Sequence, residues 1–195
     1  MVSYLDIVKL LDQFRRQECH YPDIVWQDIR AKRLSPILTM RLTNMDRNEF
    51  KDLLLSNLFM RARIPEQTVE DIVSNNDFNE VKLKLLDLFL GTRPMKERLQ
   101  DVMNLTGIGP YIASQLLSAV TKDEYIVYHP NVVKGIRDLL PHLVDWNILN
   151  LSVVDAEQYL SFNEICKSIK KTFDFKSLGE IHEFFWHGHD SDWKF

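Results

Sequence analysis

Three observations predict an all-α protein. Apolar residues recur at helical spacing along almost the whole 195-residue chain. Signals for helix starts and stops flank these stretches. The one extended run, Tyr125-Ile-Val-Tyr128, is too short to build a sheet.

Taken in order, Tyr4, Leu5, Ile7, Val8, Leu10, Leu11 and Phe14 form the apolar stripe of a first helix. Tyr21-Pro-Asp is a turn, and Asp23 suits the N-cap of a helix through Ile24, Val25 and Ile29. Leu34-Ser-Pro-Ile-Leu38 reads as a connection, because Pro36 removes a helical donor. Asn44 or Asp46 caps the next helix, which carries Phe50, Leu53, Leu54, Leu58 and Phe59. Pro65 opens another through Val69, Ile72 and Val73, ended by a turn at Asn75-Asn-Asp77. Val81, Leu85, Leu86, Leu88 and Phe89 mark a helix closed by Gly91 as its C′ residue. Pro94 opens the one after it. Pro130, Asp155 and Ser177 start the last three.

The most informative stretch is Leu99 to Leu117. Leu99, Val102, Met103 and Leu105 keep the 3.6-residue period, and Ile112, Ala113, Leu116 and Leu117 resume it. Between them, Gly107 and Gly109 allow positive φ, and Pro110 suits the first position of a new helix. Such a hairpin turns backbone N–H groups outward at a helix N-terminus, where an anion can bind.

This stretch resembles the helix-hairpin-helix motif. With the run Ile126-Val-Tyr-His-Pro-Asn-Val-Val133 downstream, residues 50–140 resemble the endonuclease III and adenine glycosylase superfamily of DNA-repair proteins. The resemblance implies one glycosylase-like unit over 1–195, built of two closely packed helical lobes. Residues 45–140 would form the hairpin lobe, and 1–44 with 141–195 the other. A cleft between them would take a flipped base.

The resemblance also implies site residues. Gly107, Ile108, Gly109 and Tyr111 would contact DNA, with backbone amides around Gly109 and Tyr111 holding a phosphate. The carbonyls of Met103, Leu105 and Ile108 match those that often hold a sodium or potassium ion there. Two catalytic positions depart from the pattern. Tyr111 stands where bifunctional members carry a lysine nucleophile, so a Schiff-base lyase mechanism is not expected. His129 stands where the catalytic Asp belongs. A neutral imidazole could take a proton from water, but it supplies no fixed negative charge, and an imidazolium would repel a cationic sugar. Asp52 is expected on another helix face, and Asp123 could substitute only by loop rearrangement. Two cysteines, Cys19 and Cys166, exclude the four-cysteine iron–sulfur cluster of some members.

Composition limits the alternatives. Hydrophobic residues are 45% and charged residues 27%, an ordinary globular balance. There is no bilayer-length apolar run and no signal peptide, which predicts a cytoplasmic protein without a membrane partner. The net charge of −4 argues mildly against DNA. Against that, Arg30, Lys32, Arg33, Arg41 and Arg47 cluster, followed by Arg61 and Arg63. They form either solvated helix faces or one basic side. The tail residues His182, Glu183, His187, His189, Asp190 and Asp192 could bind zinc or nickel. His182 and His187 are five residues apart, poor for one helix face, so a polar C-terminal end is the plainer reading. Trp186 and Trp193 could stack on a base but suit core anchors better. No Walker motif, dinucleotide fingerprint or serine elbow is present. The expected function is therefore DNA binding by a glycosylase-like protein, divergent or inactive as an enzyme. The alternative is a helical interaction module that keeps the fold without DNA.

Overall fold

The computed structural model describes residues 3–17, 32–55, 66–121, 123–142 and 154–193. All regular structure among them is helical. The expected helix around Asp23, and Arg30, Leu58, Phe59, Arg61, Arg63 and Pro65, lie outside the described residues. The chain divides into two compact units, residues 29–122 and residues 1–28 with 123–195. Residues 29–44 thus group with the hairpin, and 123–140 with the other unit.

In the hairpin unit, helix α2 covers 32–40 and a short 3-10 turn follows at Leu42–Asn44. Then come α3 (Arg47–Leu53), α4 (Glu66–Ser74), α5 (Phe78–Leu90), α6 (Met95–Met103) and α7 (Pro110–Val120). Helix α2 corrects the sequence reading, since it runs straight through Pro36. A proline there costs one backbone bond, to the carbonyl of residue 32. Leu34, Leu38 and Leu42, four residues apart, are at most 1% exposed. Each such side chain contributes about 1.5–3 kcal/mol on burial, more than the lost bond. Asp46, not Asn44, caps α3, in a reciprocal capping box with Glu49. Gly91 ends α5 in an extended conformation, φ −67° and ψ 162°, rather than the left-handed one a C′ glycine would take.

The second unit contains α1 (Tyr4–Arg16), α8 (Pro130–Leu139), α9 (Ala156–Phe173) and α10 (Leu178–Asp190). Asp155 and Ser177 cap α9 and α10 as expected. Helices α8 and α10 pack backbone to backbone at Gly135, where a Cβ would meet the Phe185 carbonyl oxygen at 2.4 Å. Arg15 grips the buried Glu180 through two nitrogens, at 2.8 and 3.0 Å. Among the described residues, the extended run before α8 has no neighbouring strand. Buried Asn163 of α9 accepts from the Ile126 amide (2.9 Å) and donates to the Glu124 carbonyl (3.0 Å). The Tyr159 hydroxyl donates to the Ile126 carbonyl (2.8 Å). These side chains replace the ladder a sheet would have supplied.

Candidate nucleic-acid interface

The hairpin joins α6 to α7. Its two glycines differ. Gly107 has φ +85°, and a Cβ there would lie 3.0 Å from Ile72 Cγ1. This position requires glycine. Gly109 is extended, φ −93° and ψ −176°, and a Cβ there would meet nothing within 4 Å. The positive φ expected at Gly109 is therefore absent, because α7 begins from ordinary N-cap geometry. Torsion and packing do not require glycine at 109, and glycine is among the favoured N-cap residues. Its missing side chain leaves the backbone there open to close approach.

The turn is only partly exposed. Thr106 and Gly109 are exposed, Gly107 and Tyr111 are half-buried, and Ile108 is 3% exposed. Ile108 therefore offers backbone rather than side chain to a ligand. Its N–H donates to the Leu105 carbonyl at 3.1 Å. That carbonyl keeps a second lone pair for a cation. No side chain caps α7. Ser3, Asp46, Asp77, His129, Asp155 and Ser177 cap their own helices.

Sequence reasoning missed one residue here. Asn76, after the end of α4, reads as an ordinary turn residue. Its Oδ1 accepts from the Thr106 amide (2.9 Å), and its Nδ2 donates to the carbonyls of Thr106 (3.0 Å) and Ile72 (2.9 Å). The partners are 30 residues apart in sequence, so no local pattern signals the bond.

The hairpin lies in one unit and His129 in the other. His129 is the N-cap of α8. Its Nδ1 accepts from the Asn131 amide at 3.2 Å. Its ring stacks on Trp186, with centroids 4.3 Å apart and planes 12° from parallel. Asp190 joins the assembly by accepting from Asn131 Nδ2 and from the Trp186 indole, both at 2.8 Å. Burial, with charge from His182 and Lys134, pushes the His129 pKa down to about 4, against an opposing pull from Asp190. The ring is therefore neutral near pH 7, with its proton on Nε2 because Nδ1 accepts. In this state it can donate a hydrogen bond, and the engaged Nδ1 with the lowered pKa makes it a weak general base.

Most of the other expected groups have structural partners. Asp123 has left-handed backbone, pairs with Lys170 and accepts from the Leu178 amide. Asp52 is exposed on α3. Burial alone would raise the Glu183 carboxyl. Hydrogen bonds and charge from His182 (3.1 Å) and His187 (3.2 Å) outweigh it and hold the group well below the usual carboxylate range. His189 pairs with Asp138. Among the described residues, no three His, Cys, Asp or Glu side chains are arranged to hold a metal ion. Trp193 packs against Phe184 and Phe185 and over Gly188, whose Cβ would strike its ring.

Charge is divided unevenly. The hairpin unit carries 14 Lys and Arg against 11 Asp and Glu. The other unit carries 10 against 17, and all six histidines. The overall negative charge is thus confined to the unit without the hairpin. Lys32, Arg33, Arg41 and Arg47 are exposed in the hairpin unit. No helix among the described residues is long and apolar enough to cross a membrane. No family model, curated protein or solved structure matches the chain.

Proposed function

We propose that this chain is a DNA-binding protein of helix-hairpin-helix type, with a glycosylase-like fold, that holds a backbone phosphate of duplex DNA at the start of α7. The observation that carries this reading is Gly109. It is exposed, has no side-chain cap, is conformationally ordinary, and a Cβ there would meet nothing within 4 Å. A phosphate oxygen could reach the first-turn amides there, assisted by the helix dipole. The positive balance of this unit supports the same reading.

Recognition is favoured over base-excision chemistry. Tyr111 offers no amine, and the neutral His129 offers only a weak base and no negative charge. A potassium or sodium ion at the Met103, Leu105 and Ile108 carbonyls would further bridge hairpin and phosphate.

The rival, a protein-interaction module, is favoured by Leu83 and Leu90, which are 66% and 59% exposed on α5. Titration of a labelled duplex at several salt concentrations separates the two. For phosphate binding, log affinity should fall linearly with log salt, with a slope of about −0.9 per phosphate neutralised. No binding at low salt would favour the interaction module. On abasic DNA, borohydride should trap no covalent adduct. An adduct would defeat the account of position 111.

A further inference from the structure

We infer that Asn76 is a positioning residue for the hairpin, setting the turn so that its amides meet a phosphate without rearrangement. This rests on the DNA-binding reading above.

The Asn76 carboxamide copies a backbone unit. It both accepts from and donates to Thr106, and the same Nδ2 also bonds the Ile72 carbonyl at the end of α4. The turn is thereby fastened to α4 one residue before Gly107, whose left-handed backbone lies against Ile72. Two consequences follow. Thr106 has spent both its backbone groups on Asn76, so phosphate contact falls to amides after it, on the α7 side. The turn is also held before any ligand arrives, so binding need not include the entropy of ordering it. Neighbouring Asn75 is exposed, and its side chain donates back to Asp71 of α4 at 3.3 Å, which makes it a matched control.

The test compares wild type, Asn76→Ala, Asn76→Asp and Asn75→Ala by duplex titration at several salt concentrations and by amide hydrogen exchange. Asn76→Ala should speed exchange at Thr106 and weaken duplex binding about tenfold, the size of one net hydrogen bond. Its salt slope should match wild type, because no charged contact is removed. Asn76→Asp keeps the acceptor for the Thr106 amide and loses both donors. It should retain Thr106 protection, still bind more weakly than wild type, and serve if the alanine variant fails to fold. Asn75→Ala should match wild type in every readout. Faster Thr106 exchange with unchanged affinity would overturn the inference and leave Asn76 a purely structural clamp. If wild type does not bind duplex, the DNA-binding reading fails and takes the positioning role with it. Thr106 exchange would then still report whether the clamp exists.

Discussion

Among the described residues, two helices begin with a proline at their first position, and their N-termini differ completely. Helix α8 opens under His129, which caps it, stacks on Trp186 and is tied through Asn131 to Asp190. Helix α7 opens under Gly109, with no side-chain cap and no neighbour within reach of a Cβ. Both starts present orphan amides. At α8 the protein's own side chains supply an acceptor. At α7 the N-cap residue has no side chain to do so, although the turn leading to it is held by Gly107 and Asn76. A turn fastened on one side and open on the other suits an external anion. A turn satisfied by its own side chains suits a fixed structural joint.

The largest effect expected from breaking this comparison is at Gly107. Gly107→Val should cost about 2–3 kcal/mol, from positive φ and from contact with Ile72. Thermal or denaturant unfolding measures it, and a loss within about 0.5 kcal/mol would mean that the turn relaxes without its glycine.

A smaller effect is expected at His129, and it depends on pH. The folded-state pKa is pushed down to about 4 from 6.5. Between these values the unfolded chain binds more protons, so this group's contribution is full above about pH 6.5, is lost as pH falls toward 4, and changes little below that. Allowing for a partly exposed ring, the loss is about 1–2 kcal/mol. His129→Asn keeps a capping acceptor and removes the titration. Its stability should vary less with pH across that window than wild type does. Parallel pH profiles for the two proteins would contradict the neutral, capping role.

How legible this was in the sequence depends on the range of the interaction. Caps at Asp155 and Ser177 act on amides three residues away, and both were readable as local patterns. Helix α2 was not readable, because burial of Leu34 and Leu38 overrides a local breaker at Pro36. Gly107 and Gly109 are the same letter two positions apart. Only the structure shows that one serves torsion while the other leaves open space. Asn76 looks like any turn asparagine until Thr106 is placed beside it. His129 read as a possible base because sequence shows the residue type but not the direction of its hydrogen bond.

The smallest effect on stability is expected at Gly109, and it bears most directly on the central claim. Gly109→Val fits the extended backbone and its Cβ meets no atom within 4 Å, so unfolding should move by no more than about 0.5 kcal/mol. The added side chain would stand where a phosphate approaches the amides of α7. The deciding measurement is duplex affinity for wild type and Gly109→Val at low salt, with helix content and unfolding midpoint recorded on the same samples. The expected result is an unchanged fold and affinity lower by about ten- to a hundredfold, the scale of one or two charge-assisted contacts. A folded Gly109→Val protein that binds duplex as tightly as wild type would contradict the account, because the open start of α7 would then not be where DNA is held.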